Sequence, residues 1–332
     1  MASLITGASG FIGWHLAAAL RGRDERVLGL VRKSSQVEQL EPLGVELAHG
    51  DVTDEASLQE ACRNVDVVYH LAGLTKALHS VQLNAVNADG SRNIASACAD
   101  NGVKTLVCVS SIAAVGPSID GQPVREDVIP QPVSDYGRSK LAGERAVIPF
   151  ADRVDISVVR PPIVIGEYDP AALELFKSIH RMRVHVVPGF RRRLYSLIHA
   201  ADLAELLIRV AEHGERLGNA IESGQGFYFG EADHRPSYQE IGDLIGASIN
   251  RRFVKLPIGA PVLRVFGALA DLAAKTTGRS LYLSSDKVRE AMTGPWICSA
   301  EKAQQQLGFA PQRSLRKRFE QTGQWYLENG WL

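Results

Sequence analysis

The sequence has little cysteine and no excess of charge of either sign, and each shortage excludes a class of protein. Its cysteines, Cys62, Cys98, Cys108 and Cys298, form no CxxC or other metal-ligand spacing. They predict neither a disulfide framework nor a metal site, and they suit a reducing cytoplasm. Because 37 basic side chains balance 37 acidic ones, the whole-chain field does not attract nucleic acid, and we expect no such partner.

Long hydrophobic runs are also missing. The most apolar long window, residues 256–274, is interrupted by two prolines, an arginine and an aspartate, so it does not predict a membrane span. The first apolar run is short and has no basic leader, so no secretory signal is visible. We expect a cytoplasmic protein.

Short β-branched runs alternate with helical stretches over the first 165 residues. The runs are 2–6, 26–31, 46–49, 65–71, 105–109 and 156–159. Apolar strands separated by helices predict a parallel sheet with helices on both faces. We therefore expect an α/β protein whose residues 1–165 form a doubly wound Rossmann domain.

The rhythm changes after residue 165. Loops there are rich in proline, glycine and arginine, and 201–212 and 238–247 read as helices. We expect residues 166–332 to form a smaller, mostly helical substrate-binding region. Two short runs, 197–198 and 226–229, are candidate strands that return to the sheet.

A glycine-rich segment, TGASGFIG at residues 6–13, follows the first strand and begins a helix. Glycines let the backbone turn tightly and approach a pyrophosphate, whose charge lies at the helix N-terminus. A plain tight turn is the alternative, but the position after the first strand favours a dinucleotide site. We assign Gly7, Ser9, Gly10, Phe11 and Ile12 to that site. The Gly-Lys-Ser/Thr of an NTPase P-loop is absent.

The second strand ends in two cations, Arg32 and Lys33, where an NAD site carries an acidic residue for the ribose 2′-hydroxyl. A guanidinium instead suits a 2′-phosphate, with which it makes charge-assisted hydrogen bonds. The alternative is a pair of solvated surface cations. We predict NADP as the cofactor, in preference to NAD, held by Arg32 with help from Lys33.

The next two strand ends carry further candidates for cofactor contact. Asp51 and Val52 follow the third strand, where the carboxylate can accept from an adenine amino group. Leu71, Ala72 and Gly73 follow the fourth, where small residues let the chain pass along the cofactor. The preceding histidine, at position 70, is interpreted as structural.

Tyr136 and Lys140 lie four residues apart in a predicted helix, so their side chains share one face. A tyrosine can exchange a proton with a carbinol or carbonyl oxygen. Its ordinary pKa of about 10 requires stabilisation of the phenolate, which a neighbouring ammonium provides. The alternative is an ordinary exposed helical pair.

Two serines follow the fifth strand and favour the catalytic interpretation. Ser110 and Ser111 lie at the carboxyl end of a parallel strand, which is where ligands bind in such sheets. Ser111 can hold the reacting oxygen beside Tyr136. Helix capping is the alternative for one of the two serines, and especially for Ser110.

These motifs together resemble the extended short-chain dehydrogenases/reductases, also called the NAD-dependent epimerase/dehydratase family. The resemblance covers nearly the whole chain and continues through Arg160-Pro161 and the segment 198–204. It implies Tyr136 as acid/base, Lys140 as its partner and Ser111 as the third catalytic residue. It places Ser110, Tyr136, Lys140, Pro161 and Ile163 near the nicotinamide and Asn87 behind the cofactor, with packing as the alternative for Asn87. It also implies a homodimer through the helices around 87–99 and 136–146.

Two functional classes compete within the family. The first is an NADP-dependent reductase or dehydrogenase that interconverts a ketone and a secondary alcohol on a hydrophobic, sterol-like substrate, like dihydroflavonol reductases and 3β-hydroxysteroid dehydrogenases. The second is a nucleotide-sugar epimerase or dehydratase with tightly bound NAD(P). Arg32 favours the first class, and so does the absence of an Asp-Glu pair after Ser111. A non-catalytic NADP-binding regulator is a third class, whose usual signature is loss of the tyrosine or the lysine.

Two C-terminal features bear on the choice. Residues 261–275 predict an amphipathic helix that can wall an apolar pocket or lie on a membrane, with ordinary packing favoured over peripheral membrane contact. The run Arg191-Arg192-Arg193 favours the second class, because members that bind nucleotide diphosphates often place an arginine there. A solvated basic loop is its alternative. The expected partner is a small-molecule substrate.

Overall fold

The computed structural model describes residues 1–218, 220–277 and 284–332. A parallel sheet of seven strands lies at its centre, in the order β10-β6-β5-β4-β1-β2-β3. These strands are β1 (Ala2–Thr6), β2 (Arg26–Val31), β3 (Glu46–His49), β4 (Val67–His70), β5 (Thr105–Val109), β6 (Asp155–Val159) and β10 (Phe227–Tyr228). The remaining strands are β7 (Ile163–Ile165), β8 (Val184–Pro188), β9 (Leu197–His199) and β11 (Val254–Ile258). The predicted α/β class with a Rossmann sheet is confirmed.

Helices cover the sheet and build the C-terminal part. They are α1 (Phe11–Arg21), α2 (Glu55–Ala61), α3 (Ser80–Asn84), α4 (Gly90–Asn101), α5 (Ile112–Val115), α6 (Asp135–Val147), α7 (Pro170–Lys177) and α8 (Ala200–His213). The chain continues with α9 (Tyr238–Ser248), α10 (Ala260–Thr277), α11 (Ser285–Thr293), α12 (Glu301–Leu307) and α13 (Leu315–Glu328). None of these helices combines the length and the hydropathy that crossing a bilayer requires.

The sheet order reverses at β1, which pairs with β2 on one side and with β4 on the other. Thr6 and His70 are register partners, so β1 and β4 end at the same level of the sheet. The loops that follow these two strands therefore start next to each other. Ligands bind at such a reversal, outside the carboxyl ends of the strands. The topology therefore places the glycine turn after β1, the loop after β4 and the serines after β5 along one edge.

Both faces of the sheet are buried, as the continuous apolar strands predict, except at the edge strand β3, which is mostly exposed. Consecutive residues of β1 point to opposite faces: Ile5 packs with Leu16 and Leu207, whereas Leu4 packs with Ile94 and other residues of the opposite layer. A third core cluster, which includes Phe176 and Phe319, lies in the C-terminal part.

The two candidate return strands pair with strands of different sheets. β10 pairs with β6 at the edge of the main sheet, so the chain crosses back over the predicted boundary at residue 165. β9 pairs instead with β7 in a separate two-stranded sheet. The division into residues 1–165 and 166–332 stays a prediction.

The predicted amphipathic helix forms as α10. We expected its apolar face to pack on the second domain, but within the part of the chain that the structure describes that face is exposed, so this prediction is wrong. Val265, Leu269 and Leu272 are each more than half exposed. A different set, with Leu263, Gly267 and Ala274, faces inward. Small side chains on that second face let α10 lie close to α11, which leaves the larger apolar side chains outside.

The four cysteines are buried free thiols. No cluster of three or more histidine, cysteine, aspartate or glutamate side chains within 1–218, 220–277 and 284–332 is arranged to hold a metal ion.

A buried ion pair joins α6 to the end of β6. Arg160 donates to Glu144 through both Nε, at 2.9 Å, and Nη2, at 2.8 Å, and both side chains are at most 1% exposed. A bidentate pair of this geometry offsets the desolvation of the two charges. If one partner is removed, the other is left as an uncompensated buried charge.

We predict that Arg160→Met lowers the free energy of unfolding by about 3–5 kcal/mol, because Glu144 stays buried without its cation. The double variant Arg160→Met/Glu144→Leu should recover most of that loss, because it removes both charges. Urea unfolding followed by circular dichroism measures both. Arg26→Met, which opens the exposed pair with Glu46, is the control and should change little. Equal effects of Arg160→Met and Arg26→Met would contradict the prediction.

Candidate active site

The glycine turn after β1 brings two strand ends into contact. Gly7 has φ +74°, and a Cβ at this residue would lie 2.8 Å from the amide nitrogen of Ala72. A Cβ at Gly13 would lie 2.3 Å from the carbonyl oxygen of Gly7. Both positions therefore require glycine, the first for its backbone conformation and the second for the close approach of α1 to the turn.

A cavity of about 250 Å³ opens between this turn and the ends of β2, β3 and β4. Its lining includes nine residues that we assigned to the cofactor, namely Gly7, Ser9, Gly10, Arg32, Asp51, Val52, Leu71, Ala72 and Gly73. Sequence reasoning missed Leu30, Ser35, Gly50 and Leu74, which lie in or shortly after strands, and Val86, which lies in the helical segment Ala85–Asp89. Phe11, Ile12 and Lys33 are not part of the lining.

The N-terminus of α1 at this cavity suits a phosphate. Gly10 is the N-cap, no side chain caps the helix, and its first turn carries no acidic residue. The first backbone N–H groups and the positive end of the helix dipole are therefore left for an anion. With Arg32 and Asp51 also lining the cavity, the residues present fit a phosphorylated dinucleotide.

A chain of hydrogen bonds stiffens the ends of β1 and β4. The amide of Ala72 donates to Thr6 Oγ1 at 3.1 Å, and Thr6 Oγ1 lies 2.8 Å from His70 Nδ1. His70 Nε2 lies 3.1 Å from Ser91 Oγ, which donates to the carbonyl of Asn87 at 2.7 Å. Full burial lowers the pKa of His70 to about 3, so the ring is neutral. The structural interpretation of this histidine agrees with both ring nitrogens being used.

Asn87 lies behind the cavity and holds its wall. Its Oδ1 accepts from the amide of Leu74 at 2.8 Å, and its Nδ2 donates to the Leu74 carbonyl and to Ser139 Oγ, each at 2.9 Å. Both amide hydrogens are thus committed to the protein. The contacts of this side chain are those of packing between the loop after β4 and α6.

Tyr136 lies in the first turn of α6, which Ser134 caps by accepting from the amide of Gly137 at 2.9 Å. Ser111 Oγ accepts from the amide of Ala113 at 3.1 Å. Burial raises the pKa of Tyr136 to about 12, and Ser111 lies near enough to oppose that rise by hydrogen bonding to the phenol. The phenol is therefore protonated at neutral pH, in the form that can donate a proton.

Lys140 lies one turn further along α6 and is also buried. Its Nζ donates to the carbonyl of Val109 at 2.7 Å. A Cβ at Gly73 would lie 3.6 Å from this nitrogen, so Lys140 reaches the wall of the dinucleotide cavity. Burial lowers the pKa of Lys140 to about 8. The structure thus brings Ser111, Tyr136 and Lys140 together beside that cavity.

The two serines after β5 have different surroundings. Ser111 is the N-cap of α5, so the capping role that we considered mainly for Ser110 was placed on the wrong residue. Ser110 Oγ is buried and has no hydrogen-bond partner among the residues that the structure describes. Ser110 directly follows Val109, whose carbonyl accepts from Lys140. An unpaired buried hydroxyl at this position suits contact with a bound molecule.

A second cavity, of about 320 Å³, opens beside Tyr136. Ser111, Tyr136 and Ile163 line it together with Ile112, Ala113, Pro162, Pro188, Tyr195, Tyr238, Lys287, Glu290, Ala291 and Trp296. Pro161 is buried, and its carbonyl accepts from the amide of Ile112 at 2.9 Å. Most of the lining is aliphatic or aromatic, so this cavity suits an apolar molecule with one polar group at Tyr136.

Helix α11 closes this second cavity, and sequence reasoning missed it. The amide of Asp135 donates to Asp286 Oδ1 at 3.0 Å, and Ser134 Oγ donates to Glu290 Oε1 at 2.5 Å. Lys287 Nζ lies 4.7 Å from the centre of the Tyr136 ring and donates to Glu290 Oε2 at 2.7 Å. No sequence signal links residues 150 positions apart, because only folding places α11 on the N-terminus of α6.

The arginine run lies outside both cavities. Arg192 pairs with Glu240 at 3.0 Å, and Arg193 donates to the carbonyls of Pro188 and Met292. All three arginines line a separate cavity of about 600 Å³ near residues 117–119 and 292–295. The charged groups that line the apolar cavity are therefore Lys287 and Glu290, which pair with each other.

The chain belongs to the NAD dependent epimerase/dehydratase family, whose model matches residues 3–222. The ceramide reductase of Caulobacter vibrioides is 31% identical over 331 residues, which cover 99% of this chain and 95% of that protein. Sterol demethylase protein B of Methylococcus capsulatus is 27% identical over 347 residues, which cover 100% of each. The structure of MoeE5 in complex with UDP-glucose and NAD matches with a TM-score of 0.77 at 21% identity, over 99% of both chains. The family expected from the sequence is confirmed, and its relatives support an oxidoreductase-type enzyme.

We predict that kcat/KM for a reaction in which Tyr136 gives up its proton falls as pH rises through about 8, by about tenfold per pH unit. The Lys140 ammonium exists below its lowered pKa and stabilises the negative charge that develops on Tyr136 as the phenol gives up its proton. Above that pH the amine is neutral and this support is lost. A pH profile of kcat/KM measures the effect.

Lys140→Arg is the matched control, because a guanidinium keeps its charge through this range. The fall near pH 8 should disappear in this variant. A fall that persists unchanged would assign the titration to another group.

Proposed function

We propose that the protein is an NADP-dependent reductase or dehydrogenase that interconverts a ketone and a secondary alcohol on a hydrophobic substrate. One observation carries this proposal: Ser111 and Tyr136 line a mostly apolar cavity of about 320 Å³, and Lys140, one turn further along α6, reaches Gly73 in the wall of the cavity that fits a dinucleotide. A proton donor and a cation in these positions are what carbonyl reduction requires.

The roles of the side chains follow from their positions. Ser111 donates a hydrogen bond to the substrate carbonyl oxygen and holds it beside Tyr136, which gives that oxygen its proton. Lys140 stabilises the phenolate that remains. When bound, the nicotinamide supplies a hydride to the carbonyl carbon. Tyr136 gives its proton to the substrate oxygen in reduction and takes it back in oxidation.

The cavity walls support a hydrophobic substrate. Tyr195, Tyr238 and Trp296 give it aromatic sides, and its one acidic and one basic side chain are paired with each other. Pairing leaves little charge for recognition of an ionic substrate. The names of two relatives, ceramide reductase and sterol demethylase protein B, point in the same direction.

A nucleotide-sugar epimerase or dehydratase is the second candidate. It is favoured by the likeness to MoeE5, solved with UDP-glucose, and by the cavity that Arg191, Arg192 and Arg193 line. A diphosphate could bind there, because arginine recognises phosphate well. The arginines do not line the cavity at Tyr136, so this candidate ranks below the reductase. The regulator class ranks last, because Tyr136 and Lys140 are both present and adjacent to Ser111.

The homodimer through the helices around residues 87–99 and 136–146 stays a prediction, as does the cytoplasmic location. In the folded chain these two helices, α4 and α6, pack on the same layer of the core. Sedimentation velocity of the purified protein would test the dimer.

We predict that the protein oxidises NADPH when given a 3-ketosteroid or a long-chain keto lipid dispersed in detergent. Tyr136→Phe should lower kcat by about 10²–10⁴-fold, because it removes the proton donor and leaves the ring. Loss of absorbance at 340 nm measures the reaction. Conversion of UDP-glucose by the parent protein, without turnover of any ketone, would establish the second candidate instead.

We predict that Arg32→Ala weakens NADPH binding about 10- to 150-fold, which corresponds to about 1.5–3 kcal/mol for hydrogen bonds to a charged group. Binding of NADH should not change, because it lacks the 2′-phosphate. Lys33→Ala is the matched control, since Lys33 neighbours Arg32 but does not line the cavity. Nucleotide fluorescence titration gives the Kd values. Unchanged NADPH affinity in Arg32→Ala would remove the proposed 2′-phosphate site.

A further inference from the structure

Helix α10 presents its larger apolar side chains to solvent. They recur at helical spacing along one face, which we call the α10 face, and are between 48% and 60% exposed: Val262, Val265, Phe266, Leu269 and Leu272. An apolar stripe on a surface helix normally faces the core. On α10 it faces outward, so packing within the described chain does not account for it.

The inward side of α10 is already satisfied by other residues. Leu263, Gly267 and Ala274 are buried, and a Cβ at Gly267 would lie 3.1 Å from Val288 Cγ2 of α11. The helix is therefore anchored without its larger apolar residues. The α10 face is available for something outside the chain.

The two-stranded sheet that precedes α10 in the chain also exposes apolar side chains. Val186 of β8 pairs with Leu256 of β11, and both are exposed, as is Val254. Phe190 is 76% exposed and lies within 3.4 Å of the position that a Cβ at Gly259 would take, at the junction of β11 and α10. We call these side chains together with the α10 face the apolar surface. It contains nine of the seventeen exposed large hydrophobic residues of the described chain.

The two chain segments that carry the apolar surface are rich in basic side chains. Segments 178–193 and 250–277, which β8 and β11 bring together, contain ten arginines and lysines and one acidic residue, Asp271, whereas the whole chain is balanced at 37 and 37. Two of these cations pair with residues outside the segments, Arg192 with Glu240 and Lys255 with Asp243. Arg251, Arg252 and Lys255 line one cavity with Asp243, and Arg191, Arg192 and Arg193 line another. The two segments as a whole keep a net positive charge.

We propose that the apolar surface binds an anionic lipid bilayer, with α10 lying in the plane of the interface. Apolar side chains that enter the acyl boundary and flanking cations that meet anionic headgroups are the two features of interfacial helices. A second copy of this chain fits less well, because a two-fold interface would bring the same cations of both copies together.

The position of the apolar surface also bears on how a substrate reaches the apolar cavity. This part of the inference rests on the proposed function. Pro188 ends β8 and lines the apolar cavity, as do Lys287 and Ala291 of α11. Helix α11 packs directly on α10 through Val288. One helix, α11, thus separates the apolar cavity from α10, so a ketone dissolved in the bilayer would lie one helix away from the proposed substrate site.

Co-sedimentation with vesicles tests the proposal. We expect the parent protein to bind vesicles of 70% phosphatidylcholine and 30% phosphatidylserine at least tenfold more tightly than vesicles of phosphatidylcholine alone, and less tightly in 0.5 M NaCl. The variant Phe266→Glu/Leu269→Glu should lose at least tenfold in binding. Val81→Glu/Ile119→Glu, which alters exposed apolar residues elsewhere, is the matched control and should bind like the parent. Unchanged NADPH affinity verifies that each variant is folded.

Three results would overturn the proposal. They are failure of the parent to bind phosphatidylserine vesicles, equal binding by both double variants, and a dimer of the parent that Phe266→Glu/Leu269→Glu dissociates while neither binds vesicles. The last result would assign the apolar surface to a second copy. Vesicle binding is scored without a substrate, so its failure is distinct from absence of ketone reduction, which would affect only the route of substrate entry.

Discussion

The buried pair of Arg160 and Glu144 is the interaction on which the site depends. Glu144 lies on α6, two turns beyond Tyr136, and Arg160 follows directly after β6, so the pair fixes the catalytic helix to the end of the sheet. The guanidinium also lies 4.0 Å above the Phe227 ring, and the backbone amide of Arg160 donates to the Tyr228 carbonyl. One residue thus holds α6, β6 and the edge strand β10 in a single arrangement.

That arrangement places two ionisable side chains of the site in a low-dielectric environment. Burial raises the pKa of Tyr136 and lowers that of Lys140, so both neutral forms are favoured relative to water. In the proposed reduction, Tyr136 holds the proton for transfer, and Ser111 and Lys140 stabilise the negative charge that develops on its oxygen.

In the C-terminal part, the contacts that helix α11 makes with α6 and α10 determine which apolar side chains stay exposed. Helix α11 is occupied on one side by the N-terminus of α6, through Asp286 and Glu290, and on the other by the small residues of α10. It therefore links the apolar cavity to the exposed α10 face. Binding of a bilayer at that face would act on the cavity through a single short helix.

The sequence by itself determined the elements whose signal is local. The strands after which Gly7, Asp51, Gly73 and Ser111 lie could be predicted, because β-branched runs ending in glycine or polar residues have a short-range pattern. The parallel order then implied that these ends share one edge, and the spacing of Tyr136 and Lys140 implied one helical face.

Only the tertiary structure decided which distant side chains complete the site. Lys287, Glu290 and Trp296 reach Tyr136 across about 150 positions, and no periodicity encodes such a contact. Likewise, the 3.6-residue repeat of α10 established an apolar stripe but not the direction in which it faces. That direction depends on whether the large or the small side chains fit against α11, and this is a matter of packing between elements.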